Sequence, residues 1–321
     1  DDTIIDKVYY PDGWTVDDFW PNSPKISPYI VDKNVVYINF AASKDDIKIT
    51  QNDNYKFSFI NELEISNRTN IMPSLNYGEN SGIVSLRGTI AAGTNFTREY
   101  PVLDTAQFFT GRLRKALDKN GIHYAKPFYP KKVPQNAKRI ASFMRPIKEV
   151  VSYALKTSNN FVCEVVFKAA GAKWTSKANL KEIEKPGTIE DGKNMFFDYY
   201  DKAGLKNNKI NLKDASGVSR YNTLSTGWMT DALVWLNENS KIRDYMITAD
   251  EGTLTKRMRD LKGCIRAKTG TIFGISSLAG YVTSEAGQNY AFAIIIQNFA
   301  TRTSVIKGLE DDIIHEIYSL E

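Results

Sequence analysis

Residues 264–283, CIRAKTGTIFGISSLAGYVT, place a cation, two hydroxyls and a glycine in four consecutive positions, Lys268-Thr269-Gly270-Thr271. Cys264 to Thr271 has the residue mix of a strand that ends in small side chains, and Gly270 removes a side chain where another backbone or a ligand comes close. Ile275 to Thr283 and Tyr290 to Asn298 alternate or run apolar around Ser284-Glu285-Ala286-Gly287-Gln288-Asn289, the pattern of a hairpin. The tetrapeptide is therefore expected on the first of three antiparallel strands. A lysine beside hydroxyls on a strand edge suits the joint grip of a carboxylate and an oxyanion. The same residues also fit an exposed strand with a solvated lysine.

A second element lies upstream. Ile147, Val150, Val151 and Leu155 recur at helical spacing before Ser158-Asn159-Asn160, and Val162, Val165, Val166 and Ala169 do so after it. A polar triplet between two apolar stripes is a helix junction. Ser158 or Asn159 in that position satisfies the free amides of the next helix as an N-cap, which does not exclude a second role.

Ser-x-Asn followed downstream by Lys-Thr-Gly is the motif pair of penicillin-binding proteins and β-lactamases, whose remaining motif is Ser-x-x-Lys. The stretch SNNFVCEVVFKAAG (158–171) resembles the second-motif helix of the D-alanyl-D-alanine carboxypeptidase/endopeptidase family of penicillin-binding protein 4 type. Asp214 to Asn222, DASGVSRYN, looks like that family's DGSGLSRYN segment, and residues 252–283 resemble its approach to the third motif, in the family's order. Toward the N-terminus the likeness is looser. Asp12-Gly13-Trp14 through Phe40, with Val31-Asp32-Lys33-Asn34, is similar to a Gly-Trp stretch leading into an Asp-x-Asn strand, and Arg98 to Val102 with the run Phe108 to Asn120 looks like the helix that closes the family's inserted region.

The chemistry implied by this resemblance is acyl transfer. A serine would attack the carbonyl between two D-alanines, with its proton taken by a neighbouring lysine whose ammonium form is suppressed. Ser158 would bridge that lysine and Lys268, and Asn160 would orient the lysine and bond the peptide. Lys268 would favour the substrate carboxylate, Thr269 and Thr271 would offer it hydroxyls beside Gly270, and the Thr271 amide would supply half of an oxyanion hole. The substrate implied is a peptidoglycan stem peptide, with β-lactam antibiotics as acylating inhibitors and a periplasmic or otherwise extracytoplasmic cell-envelope location.

The attacking serine itself is not found upstream of Ser158. Ser23 is followed by Pro24-Lys25-Ile26 and Ser43 by Lys44-Asp45-Asp46, so neither fits. The one Ser-x-x-Lys, Ser304-Val305-Ile306-Lys307, follows the Lys-Thr-Gly strand in a segment whose Val305, Leu309, Ile313, Ile314 and Ile317 make an amphipathic terminal helix, where Ser304 reads as a first-turn residue. The chain opens at Asp1 without methionine, at what resembles the middle of an inserted domain, which implies a nucleophile in a preceding segment. The alternative is a homologue that lost the serine and binds wall peptide without turnover.

Composition fits both. The 321 residues are 42% hydrophobic with a mean hydropathy of −0.37, as in globular domains, and no stretch reaches the roughly 18 apolar residues of a spanning helix. Net charge is +5, from 42 basic and 37 acidic residues interspersed. The runs Lys131-Lys132 and Lys202 to Lys213 lack interleaved aromatics and read as solvated faces, so nucleic acid is not an expected partner. Cys163 and Cys264 sit in apolar runs and read as buried free thiols, and with His123 and His315 the only histidines, no metal or other cofactor site is expected.

The organisation expected is α/β (α+β). Residues 1–138 form a mostly β accessory region, with strands over Asn34–Ala41, Tyr55–Ile65 and Gly82–Ile90 and a helix over Thr105–Asn120. Tyr129-Pro130 to Gln135 is the return connection. Residues 139–321 form the β-lactamase/penicillin-binding transpeptidase-like domain, an antiparallel sheet faced by helices, one of them over Gly227–Asn237.

Overall fold

Val35–Ala42 forms strand β1 because its apolar residues alternate, so that Val36, Ile38 and Phe40 all lie on one buried face. This is seen in a computed structural model that describes residues 4–14, 23–76, 82–124, 136, 138, 142–176, 186–206 and 209–321. The chain divides into two units, Asp1–Ala137 with Ser176–Thr188, and Lys138–Thr175 with Ile189–Glu321.

In the first unit β2 (Ile47–Gln51), β3 (Ser58–Ser66), β4 (Asn70–Asn76), β5 (Ile83–Ala91) and β6 (Asn95–Pro101) follow β1, and helix α1 (Thr105–Lys119) closes the run. They make two three-stranded sheets. One has the order β2-β1-β6 and is antiparallel throughout; the other has the order β3-β5-β4, with β3 parallel and β4 antiparallel to β5. Val36, Ile38 and Phe40 share a core with Val84, Leu86 and Ile90 of β5, Tyr100 of β6 and Phe108 of α1. The strands expected around residues 34, 55 and 82 and the helix after 105 are present within a few residues. β2, β4 and β6 were not foreseen, and the connection at 129–135 lies outside the described residues.

In the second unit come α2 (Ile147–Thr157), α3 (Asn160–Ser176), α4 (Ile189–Lys202), α5 (Thr226–Asn239), the single turn α6 (Ile242–Tyr245), β7 (Ile265–Ile272), β8 (Ile275–Thr283), β9 (Asn289–Gln297) and α7 (Thr303–Tyr318). The strands form an antiparallel meander β7-β8-β9, with α5 packed on β9 and α7 on β8. This is the mixed fold expected, an antiparallel sheet faced by helices. Its core is Ile247, Leu254, Leu261, Ile265, Leu278, Val282, Phe292 and Ile314.

Two helix faces differ from the sequence pattern. On α3 the buried positions are Phe161, Glu164, Lys168, Gly171 and Ala172, while Val162, Val165, Val166 and Ala169 are only partly covered. The reason is a close helix crossing, where a Cβ at Gly171 would collide with the backbone of Asp191 and Gly192 in α4. On α7, Val305 and Leu309 are exposed, and the buried face is Ile306, Glu310 and Ile314. Glu310 is buried because Arg257 meets it at 2.8 Å and meets Asp311 at 2.6 Å.

Candidate active site

The junction of α2 and α3 is built by one backbone inversion. Ser158 ends α2 in the left-handed conformation (φ 52°, ψ 49°), with its amide donating to the Ala154 carbonyl. That turn frees Asn159 to cap α3, its Oδ1 accepting from the Val162 amide at 2.9 Å. Capping thus falls to Asn159, and the Ser158 hydroxyl is left to face β7. It accepts from Lys268 Nζ at 2.7 Å, across 110 residues of sequence. Asn160 is the first residue of α3, half-buried.

Lys268 also donates to the Thr269 carbonyl at 2.5 Å. Burial pushes its pKa below the ordinary lysine value, and the Cys163 thiol, one turn along α3 from Asn160, pulls the other way. Burial likewise raises the Cys163 thiol, as does the Glu164 carboxylate, while Lys268 lowers it. Cys163 and Cys264 are both free and half-buried, where full burial was expected; Cys163 lies on the α3 flank that faces Lys268.

Thr269 is 8% exposed and its hydroxyl donates to Thr253 Oγ1 at 2.7 Å, so its one donor braces the strand against the preceding loop. Gly270 pairs with Ser277 of β8, and a Cβ there would strike the Ser277 hydroxyl. Thr271 is exposed at the strand end. Ser158 and Lys268 are therefore in contact, Thr269 and Gly270 fix the strand that carries Lys268, and Thr271 opens to solvent. Ser304 is exposed in the first turn of α7. Thr253, Cys163 and Glu164 are members of this neighbourhood that motif spacing does not reveal. The place of Glu164 one turn after Asn160 is no signal by itself, since a charged residue on a helix reads as solvated.

A proton can pass along the Lys268–Ser158 hydrogen bond, and a half-buried ammonium raises the local potential for an anion. Among the described residues no group of three His, Cys, Asp or Glu side chains is placed to hold a metal ion. Nor is any described helix long and apolar enough to cross a membrane.

The model of the D-Ala-D-Ala carboxypeptidase 3 (S13) family matches residues 1–315. This chain belongs to that S13 family. Over 339 residues it is 25% identical to the D-alanyl-D-alanine carboxypeptidase of Actinomadura sp. (strain R39), covering 91% of the chain and 60% of the relative. Over 216 residues it is 24% identical to D-alanyl-D-alanine carboxypeptidase DacB of Haemophilus influenzae, covering 64% and 43% respectively. The S13 chain thus spans about half the length of these relatives. The crystal structure of penicillin binding protein 4 (dacB) from Haemophilus influenzae superposes with a TM-score of 0.84 at 21% identity, covering 100% of this chain and 74% of that one, and so shares the fold. The same protein complexed with a novel β-lactam superposes at 0.76 and 20% identity, covering 92% and 71%.

Proposed function

We propose that this S13 chain carries the Ser-x-Asn and Lys-Thr-Gly side of a serine-type D-Ala-D-Ala carboxypeptidase/endopeptidase site that acts on peptidoglycan stem peptides and is acylated by β-lactams, in an extracytoplasmic setting. The observation that carries this reading is the 2.7 Å hydrogen bond from Lys268 Nζ to Ser158 Oγ. It joins two motifs far apart in sequence in the one place where a proton relay needs them.

In the reaction, a serine hydroxyl adds to the carbonyl of the penultimate D-alanine, and the bond to the terminal D-alanine nitrogen breaks. The serine proton passes by way of its neighbouring lysine and Ser158 to the leaving amine, and water then attacks the acyl-enzyme to return the serine. A lowered Lys268 pKa eases that transfer, because its ammonium gives its proton more readily to the Ser158 oxygen that accepts from it. Asn160 orients the catalytic lysine and the peptide. Lys268 and Thr271 receive the substrate carboxylate, with Gly270 keeping the strand open to it and Thr269 holding the strand in place.

Fluorescent penicillin is expected to label the full-length protein covalently, and Lys268→Ala to slow labelling by roughly 10²–10⁴-fold. A full-length protein that binds muropeptide saturably in calorimetry, with neither labelling nor release of D-alanine, would establish the wall-peptide binder in its place.

A further inference from the structure

Glu164 lies one helical turn beyond Asn160 on α3, with no part of it exposed. A buried carboxylate needs donors, and these come from a single loop. Oε1 accepts from the amides of Ala215 at 3.0 Å and Ser216 at 2.8 Å, and Oε2 from Ala215 at 3.2 Å.

The loop is closed on itself by Asp214, which is equally buried. Asp214 Oδ1 accepts from the Gly217 amide at 2.9 Å and from Asn222 Nδ2 at 2.6 Å, and Oδ2 from the Ser219 amide at 2.6 Å. Asn222 Oδ1 accepts in turn from the Lys213 amide at 2.6 Å. Further along the loop Arg220 donates through Nη2 to the Phe273 carbonyl at 2.8 Å, in the turn between β7 and β8 just past Thr271. A bonded path therefore runs from α3 through the loop to the far end of β7. The Lys268–Ser158 hydrogen bond ties β7 to the α2–α3 junction directly, so the two links close a frame around Asn160, Lys268 and Thr271.

We propose that Glu164 is a positioning residue of this site: it locks the Asp214–Asn222 loop, and through Arg220 that loop holds the end of β7 in register with the helix that bears Asn160. The effect on rate rests on the acyl-transfer reading; the mechanical link does not. Among the described contacts, Glu164 grips the loop at one end of the path and Arg220 reaches the turn at the other. A small displacement of a site built on two elements is costly, because reacting groups must meet within a few tenths of an ångström.

The test uses the full-length protein. Glu164→Ala and Arg220→Ala are each expected to slow penicillin acylation roughly 10- to 100-fold. Glu164→Gln, whose side-chain oxygen still accepts from both amides, is expected to stay within roughly threefold of wild type. The E164A/R220A double variant is expected to be no slower than the slower single one, because both changes cut the same path. Losses that multiply in the double variant, or Arg220→Ala at the wild-type rate, overturn the proposal. Arg220 is exposed, so its variant keeps the question open to measurement if Glu164→Ala does not fold.

Hydrogen exchange separates the two readings. If wild type is not acylated, the acyl-transfer reading fails alone, and the link is then judged on Arg220→Ala. Faster amide exchange at both residues 215–217 and 272–275 supports it, and unchanged exchange at either segment refutes it.

Discussion

Both units have a hydrocarbon core, and among the described residues only the second adds buried carboxylates to it. Between the two sheets of the first, Val36, Ile38, Phe40, Val84, Leu86 and Ile90 fill the core with hydrocarbon. In the second, α3 turns Glu164 and Lys168 inward and α7 turns Glu310 inward, each fully buried. An apolar core needs only the right period in each strand, so it forms from many interchangeable contacts. A buried charge needs one particular partner far away in the chain, so it fixes where two elements sit. The candidate site lies in the unit that has accepted that constraint.

The contrast breaks most visibly when each core is cut in its own currency. Phe40→Ala is expected to cost about 3–5 kcal/mol through the cavity it leaves. Arg257→Ala is expected to cost a similar ~3–5 kcal/mol for a different reason, because it strands the Glu310 carboxylate in the interior. The two differ in rescue. Adding Glu310→Leu to an Arg257→Met protein should recover most of the loss, since neither charge then remains to be desolvated. No polar change near Phe40 should do the same. Urea unfolding of the four variants measures this, and an Arg257→Ala midpoint equal to wild type would show that the buried acid is not held by that arginine.

Glu164 sharpens the comparison through pH. Burial pushes its carboxyl up from 4.5 to about 7, against the pull of the Ser216 and Ala215 donors, and the Asp214 charge adds to the rise. A carboxyl that is harder to ionise when folded contributes its full stability below about pH 4.5 and loses it as pH climbs through about 7. The loss is on the order of 3 kcal/mol at most. Glu164→Gln should flatten the stability profile between those limits. The apolar core of the first unit offers no such slope. Thermal unfolding at several pH values decides the matter, and a Gln variant whose slope matches wild type would remove Glu164 as its source.

What the sequence made legible follows the same division. β1 and β5, each hydrogen-bonded on both sides, carry dense apolar runs and were visible. β2, β4 and β6 are edge strands and were not, while β3, an edge strand too, was visible through the run of Tyr55, Phe57, Phe59, Ile60, Leu63 and Ile65. Nothing in the aliphatic pattern marks α4 either, because its contacts to α5 are rings: Phe196 and Tyr200 meet Trp228, and Tyr199 meets Trp235. The Ser158 junction and the Lys268 strand were legible because turn chemistry and a strand ending in small residues are local. Glu164, Lys168 and Glu310 were not, because a charged residue on a helix reads as solvated until its distant partner is known.

The smallest effect makes the finest comparison, since each unit has a helix capped by the side-chain oxygen of an Asp or Asn. Asp104 accepts from the Gln107 amide at 2.9 Å to start α1, and Asn159 accepts from the Val162 amide at 2.9 Å to start α3. Replacing either by alanine is expected to cost about 1 kcal/mol, and thermal denaturation should not tell the two apart by much. Acylation of the full-length protein should. Asp104 starts a helix of the first unit, and its loss should leave the labelling rate unchanged. Asn159 follows directly on the left-handed Ser158, and releasing its cap lets that inversion relax and the Ser158 hydroxyl drift from Lys268. A loss of roughly 3- to 10-fold in penicillin labelling is expected for Asn159→Ala, because the relay depends on geometry that the cap maintains. Equal labelling by the two variants would show that the left-handed turn holds its shape without the cap, and that the position of Ser158 is set from the β7 side, through Lys268 itself.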